Sequence, residues 1–370
     1  MKSALLALAV LAQPAPDADA IAQADRLVAI VATAYESHAD VASAVMRENA
    51  LAVFEHEFAA LNGLDPSESA AFRAGIEDQI EPRIQARRDR MAEMADTIDF
   101  EQLVATAPGG VWLAMELARL SGDGPNRDRL LDVVQAVADT GGYQSGYYAD
   151  FVASYTADAT AETSPAMPAH ALAPDEMADL AARYQARRDQ WAPLVGEIGA
   201  MRGREQYVRW LLIEIMARDL APDIRQVYQS RVGTVVTPID TANTRRVLEI
   251  FDTVDFDAFN AASPATAAEA VGILHHSGDI AVMRRTLALI EPSALAGRFD
   301  GGTYTRLFDR VAEFEDRPQR YGTQDACIDG RRGIHAIEDP GRVDQRRAEM
   351  GLQPLADYRA QLIEMYGEDC

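Results

Sequence analysis

The chain has 370 residues, 48% of them apolar, and carries a net charge of −23 with an isoelectric point near 4.6. That length can bury a core for two domains or one double domain, while the acidity argues against a phosphate-backbone partner, which needs clustered cations. The single lysine is Lys2, so Schiff-base chemistry, pyridoxal-phosphate attachment and a phosphate-loop lysine are excluded from a mature chain. Every other cation is Arg, a side chain suited to bidentate recognition of carboxylate or phosphate.

At the N-terminus, Met1-Lys2 precedes an apolar run, Ala4–Ala12, followed by Pro14, Pro16 and the small-residue step Ala18-Asp19-Ala20. This pattern predicts a secretory signal over residues 1–20 and an exported chain, periplasmic or secreted, that begins near Ile21. The run is too short to span a bilayer, so no membrane-spanning segment is expected. No cysteine lies near residue 20, which speaks against a lipoprotein anchor. In an oxidising compartment Cys327 and Cys370 become a disulfide candidate.

Ala22–Leu61 and Met177–Leu220 are long segments with apolar residues at three- and four-residue steps, the spacing of amphipathic helices. Between them and the C-terminal region the chain repeats itself. Residues 84–156 align without a gap on 240–312, with 19 identities in 73 positions. Asp96-Thr97-Ile98-Asp99-Phe100 falls on Asp252-Thr253-Val254-Asp255-Phe256, and Ser121-Gly122-Asp123 on Ser277-Gly278-Asp279. Arg47-Glu48-Asn49 lies over Arg204-Glu205-Gln206 at an offset one residue larger. Self-similarity at a fixed period predicts one supersecondary unit built twice. The expected organisation is a degenerate helical repeat over 21–160, a Pro/Ala linker over 161–175 marked by Pro165, Pro168 and Pro174, and a second repeat with a tail over 176–370.

In the tail, Tyr321–Ile328, Asp329-Gly330 and Gly333–Ile337 read as a hairpin, because Asp-Gly favours a type I′ turn. Asp339-Pro340 should open a helix, with Asp as cap and Pro in its first turn, and Gly351-Leu352-Gln353-Pro354 should separate it from a last helix, Leu355–Met365. The fold class is therefore mainly α: two tandem related helical halves, a small C-terminal β-hairpin and terminal helices.

Several acidic residues have a plain structural reading. Asp123 and Asp279 follow a Ser-Gly break and should cap helices, and Asp96, Asp99, Asp252 and Asp255 should bound short ones. Carboxylates along one helix turn, such as Asp252, Asp255 and Asp257, are more often a solvated face than a metal site. The chain has no H-E-x-x-H, no G-x-S-x-G and no cysteine-rich pattern. Neighbouring histidines do not easily ligate together from one straight helix. No metal and no cofactor is expected, and the lack of alternating strands and helices excludes a dinucleotide fold.

The informative positions are those where the copies differ. Leu120, Ala153 and Ser154 of the first stand opposite His276, Asp309 and Arg310 of the second, and Ile84, Arg87 and Ala52 opposite Asp240, Asn243 and Arg209. Polar groups that one copy loses while keeping its caps and glycines are not demanded by the fold, and burying them costs free energy unless they pair with each other or a ligand. His276, Asp309 and Asp240 are the catalytic candidates. Arg209, Gln206, Asn243, Arg310, Tyr321 and Gln324 are the ligand-binding candidates. One by one these residues have structural readings too: a helical histidine is often only a hydrogen-bonded core residue, and Tyr321–Gln324 could shape the strand entry, with Gly322 taking a conformation other residues resist.

Arg204-Glu205-Gln206-Tyr207-Val208-Arg209, Asp240-Thr241-Ala242-Asn243, His275-His276, Asp309-Arg310-Val311 and Pro318–Gln324 together resemble a bacterial domain-of-unknown-function family, number 6624. The tail is similar as well, in Ile337-Glu338-Asp339-Pro340, Val343–Glu349, Gly351-Leu352 and Pro354-Leu355. The resemblance covers about residues 190–360, and the tail is its specific part. Glu205 stands where the family pattern has Asp, and His275 where it has Gln. The resemblance implies a mostly helical domain with a small hairpin and implies no reaction.

Three functions fit these observations. The polar set could hold an unknown small polar or anionic ligand. It could serve a hydrolase-like enzyme with His276 as general acid or base, oriented by Asp240 or Asp309. Or it could be a buried network inside an acidic protein-interaction scaffold with no small-molecule site. A nucleic-acid partner is not expected.

Overall fold

The computed structural model describes residues 17–141, 144–158, 172–216, 218, 220–328, 330–366 and 368. The expected signal (apart from residues 17–20), most of the expected linker, Asp329 of the hairpin turn and Cys370 lie outside them. The first half contains α1 (Ala18–Leu61), α2 (Pro66–Gly75), α3 (Glu77–Asp96), α4 (Phe100–Thr106), α5 (Val111–Leu120), α6 (Pro125–Ala138) and α7 (Ser145–Asp158). The second contains α8 (Pro174–Met216), α9 (Pro222–Arg231), α10 (Gly233–Phe251), α11 (Phe256–Ala262), α12 (Pro264–His275), α13 (Ile280–Leu295) and α14 (Gly301–Phe314). A hairpin follows, β1 (Asp325–Ile328) and β2 (Arg331–Ile334), then α15 (Val343–Glu349) and α16 (Leu355–Tyr366). The protein is mainly helical, as its periodicity predicts.

Element bounds recur along the chain. α2 and α9, α4 and α11, and α7 and α14 have the same lengths and are each displaced by 156 residues. Local interactions recur with them. Asp99 caps α4 through Gln102 N–H at 2.9 Å and Asp255 caps α11 through Ala258 N–H at 3.2 Å. Arg129 pairs with Asp96 at 3.0 Å, and Arg285 pairs with Asp252.

The two long helices α1 and α8 run antiparallel and touch along much of their length. Small residues make that contact close: a Cβ on Gly203 would come within 2.2 Å of the Ala42 carbonyl, and one on Gly199 within 2.7 Å of the Met46 carbonyl. Ser43 Oγ bridges the same contact by donating to the Ala200 carbonyl at 3.2 Å. Each long helix then serves both cores. Ala24, Val31, Ala42 and Val45 of α1 pack with α4–α7, joined by Tyr207, Val208, Leu211 and Ile215 from the end of α8. Val195, Ile198 and Met201 of α8 pack with α10–α14, joined by Phe54 from the end of α1. Arg187 fastens the seam, with its guanidinium 3.6 Å from the Phe54 ring centre and donating to the Phe54 and Ala262 carbonyls at 2.6 and 2.8 Å.

Three local expectations need correction. The hairpin is shorter than the sequence suggests, with Asp325 opposite Ile334 and Ile328 opposite Arg331, because residues before Asp325 are bound elsewhere. Asp339 does not cap a helix: it is left-handed at φ 42°, Pro340–Arg342 form a single 3-10 turn, and α15 begins only at Val343. Asp123 does not cap either, since Gly124 takes that place and Asp123 pairs with Arg127.

Gly203→Ala should force α1 and α8 apart and cost about 1–3 kcal/mol, the range for overpacked contacts. Urea unfolding measures it, with Gly233→Ala as control, since a methyl there would meet nothing nearer than 3.6 Å. Equal midpoints for the two variants would refute the close-contact account.

Candidate functional site

Glu205 lies on α8 and is fully buried, at 0% exposure. One turn away on either side, Arg202 and Arg209 share its helix face, as spacings of three and four residues require. Arg202 pairs with the Glu205 carboxylate, and Arg209 approaches it to 3.0 Å. Arg209 also forks onto Asp240 of α10, at 3.1 and 3.0 Å to its two oxygens. His276 stands just past the end of α12, and its Nδ1 hydrogen-bonds Glu205 Oε1. Gln206 adds a donor to Glu205 at 3.3 Å. Arg202 has a second partner, Glu269 of α12.

An isolated buried carboxylate would take up a proton. Burial does push Glu205 upward, but the hydrogen bond from His276 and the charges of Arg202, His276 and Arg209 outweigh it and hold its pKa down to about 2. Glu205 is thus an anion at neutral pH. For Asp240 the balance goes the other way: burial raises its pKa, only partly offset by Arg209.

Beside this cluster is a cavity of about 240 Å³, lined by Arg202, Glu269, His275, His276, Thr303 and Arg306 among others. The His276 side chain is 30% exposed, and its Nε2 has no partner among the described residues. His275 packs edge-on against it, with ring centres 5.3 Å apart. Burial and the charges of His276, Arg310, Arg306 and Arg202 lower the His275 pKa to about 3, so it stays neutral and its Nε2 accepts from Arg310 at 3.4 Å. Arg306, on α14, donates to Thr303 Oγ1 at 3.3 Å and has no carboxylate partner among the described residues. An acid–base group and an uncommitted cation therefore face one small polar space. Among the described residues no group of three or more His, Cys, Asp or Glu is placed to hold a metal ion.

The structure brings together His276, Asp240, Arg209 and Gln206, and puts Asn243 beside them, donating to the Met201 carbonyl at 3.2 Å. It does not bring in Asp309. That carboxylate is 0% exposed and accepts from the backbone N–H groups of Arg320, Tyr321 and Thr323 at 2.8, 3.1 and 2.9 Å and from the Thr323 hydroxyl at 3.0 Å. Asp309 builds a loop and does not orient His276. Nor does Asp240, which reaches the network only through Arg209. The orienting carboxylate is Glu205.

Tyr321 and Gln324 belong to the same loop. Tyr321 is buried against Tyr304 and Phe308, and the Gln324 side chain donates to the Arg306 carbonyl at 3.2 Å. The Gln319 amide clamps the loop ends, donating to the Gln324 carbonyl at 2.8 Å and accepting from its N–H at 2.9 Å. Gly322 has φ +69°, and a Cβ there would meet Leu355 at 2.8 Å. Arg347, 2% exposed, ties the tail on by donating to the Tyr321 and Gln353 carbonyls, each at 2.7 Å. Arg310 pairs with Glu313 at 2.9 Å and reaches the cavity only through His275. Arg202, Glu269, Thr303 and Arg306 are site residues that sequence reasoning passed over, and Glu205, which holds His276, is not among its catalytic or ligand-binding candidates.

Residues 197–370, the segment holding both the acid–base cluster and the Asp309-anchored loop, match a family model described as a family of unknown function, DUF6624. The C-terminal half is thus similar to DUF6624. Comparison of the whole chain with curated proteins and with solved structures gives no match. The segments that carry the resemblance to DUF6624 fall into two groups. Asp309, Gln319–Gln324 and Arg347 assemble the tail, and Glu205, Arg209, Asp240 and His276 surround the buried charge.

Because the folded-state pKa of Glu205 lies below its ordinary value of 4.5, its stabilising contribution is complete above about pH 4.5 and disappears as pH falls toward 2. The contribution is on the order of 3 kcal/mol. Urea unfolding of wild type and Glu205→Gln between pH 7 and pH 2.5 should show a gap that narrows on acidification. A gap independent of pH would contradict the ionised state of Glu205.

Proposed function

We propose that the DUF6624-like half binds a small anionic molecule in the cavity beside His276, and that His276 serves it as general acid–base in a hydrolase-like reaction. One observation carries this reading: His276 Nδ1 is held by a buried, ionised Glu205 while the ring lines a cavity and its Nε2 meets no protein partner among the described residues. A carboxylate on Nδ1 fixes the tautomer that leaves Nε2 as base, and it stabilises the imidazolium formed when Nε2 takes a proton. Arg306 and Thr303 supply a hold for an anionic group, and Arg202, neutralised by Glu205 and Glu269, keeps the pair in place.

Binding without turnover is the second reading. It is favoured by Arg306 and Thr303, whose hold on an anion does not require His276 chemistry. We further propose that the two halves derive from one duplicated unit, on the recurrence of helix bounds, caps and the Asp–Arg pair. Export and a Cys327–Cys370 link are also proposed. Cys327 on β1 is disulfide-bonded, and Arg332, opposite it in the hairpin, donates its N–H to the Glu368 carbonyl at 2.7 Å. Non-reducing peptide mapping of the exported protein checks both: a first residue near Ile21 and a linked 327–370 peptide are expected, and an intact leader or two free thiols would count against them.

The functional test is hydrolysis of a panel of small anionic esters and phosphomonoesters. His276→Asn should lower kcat by about 10²–10⁴-fold, the usual worth of a general acid–base, and Glu205→Gln should lower it by at least about tenfold with little change in KM. Arg306→Gln should raise KM instead. Saturable binding of panel members with no turnover would replace the enzyme by the binding reading. If no panel member binds and His276→Ala costs only stability, the site is a structural network.

A further inference from the structure

The first half has a cavity of about 290 Å³, bounded by α1, α2, α3 and the end of α5, with Tyr184 of α8 completing its wall. Its origin lies in the differences between the halves. Ala52, Ile84 and Leu120 all line it, and they occupy the positions of Arg209, Asp240 and His276. In the second half Arg209 and His276 gather on Glu205 and Asp240 joins them through Arg209; in the first, a methyl and two aliphatic chains leave the space open. The buried acid itself is kept. Glu48, the counterpart of Glu205, is held by Arg87 at 3.3 Å and Arg90 at 2.9 Å. The first half thus retains the frame and its buried acid, and opens a hollow where the second half places Arg209, Asp240 and His276.

The walls of that hollow are amphipathic. Phe72, Ile76, Ile80, Ile84 and Leu120 give them apolar surface, and Arg73, Arg87, Arg88 and Arg119 bring guanidinium groups to the same lining. Among the described residues Glu55 is the only carboxylate in the lining, and it is already taken by Arg87 at 3.3 Å and by Arg188. Arg87 is spent on Glu48 and Glu55, and Arg119 lies 3.4 Å from Glu116. Two cations are freer: Arg88 is 3.8 Å from its nearest acid, Glu81, and Arg73 makes no ion pair among the described residues. Arg88 lies over Gly122, where a Cβ would come within 2.7 Å of its Nε.

We propose that this cavity binds a small amphipathic carboxylate, with its apolar chain on the Phe72–Ile80 side and its headgroup on Arg73 and Arg88. Guanidinium groups match a carboxylate in shape as well as charge, and a volume near the lower limit of ligand pockets suits a short chain. The net charge of −23 opposes an anion at long range, but at about 0.15 M salt that field is screened beyond about 8 Å, leaving the local arginines to decide.

Calorimetric titration of the whole protein with octanoate, 1-octanol and octylamine in about 0.15 M salt tests the proposal. Octanoate should bind at one site, at least about tenfold more tightly than the alcohol or the amine, a difference of about 1.4 kcal/mol. Leu120→Trp, or Ala52→Leu should the first variant fail to fold by circular dichroism, should weaken octanoate at least about tenfold by filling the cavity. Arg73→Gln with Arg88→Gln should reduce octanoate to the level of the alcohol. His276→Asn should leave octanoate binding unchanged, which separates this site from the one in the DUF6624-like half. No octanoate binding by folded protein, equal or tighter binding of octylamine, or full binding by a folded cavity-filled variant would overturn it.

Discussion

The backbone-to-backbone approach of α1 and α8 is the constraint on which the rest of the molecule depends. Gly199 and Gly203 let the helices meet at the carbonyls of Met46 and Ala42, and this fixes where every side chain farther along each helix falls. Glu48 and Glu205 come to lie inside, in front of their own half's third and fifth helices. Phe54 and Leu211, at the far ends, are delivered into the opposite half's core. A looser crossing would move both acids and both aromatic–aliphatic anchors together, because interiors at crystal-like density transmit displacement.

Placed this way, each half has the same electrostatic problem, a carboxylate withdrawn from water, and each solves it differently. The first half surrounds Glu48 with arginines alone. The second surrounds Glu205 with two arginines and a histidine. Removing either set would leave an uncompensated buried charge, which is strongly destabilising. The arginine solution is electrostatically fixed at all physiological pH values. The histidine solution leaves a second ring nitrogen at the edge of a cavity, and this is the chemical distinction between the halves.

Much of the fold is legible in the sequence because it rests on local rules. Apolar spacing locates the long helices, Asp99, Asp255 and Asp279 announce their helix starts, and the gapless repeat anticipates the recurrence of element bounds. What the sequence hides is long-range. Asp309 looks like an acid waiting for a histidine, but its oxygens are satisfied by backbone N–H groups eleven to fourteen residues later, and backbone donors leave no trace in side-chain identity. The same capture draws residues 320–323 away from the hairpin and explains its shortness. Glu205 is obscured for another reason. Comparing copies assigns shared residues to the fold, and Glu205 is shared with Glu48, yet it serves both the fold and the site. Arg306 and Thr303 stand opposite Asp150 and Tyr147, positions with no apolar loss to draw attention to them.

The exchange of helix ends between the cores has a consequence for how such a protein could have arisen. Residues related by the offset contact one another reciprocally: Ala42 meets Gly203, and Met46 meets Gly199. Reciprocity of that kind is the signature of a twofold axis. A single ancestral unit carrying one long helix would have exposed the anchor at its far end and lacked the one it needs, and a second identical chain would have supplied both by swapping. Joining the two genes end to end would have turned that concentration-dependent assembly into an intramolecular one. On the duplication proposed above, each copy then keeps its partner within one chain, and its side chains can change without altering the other's.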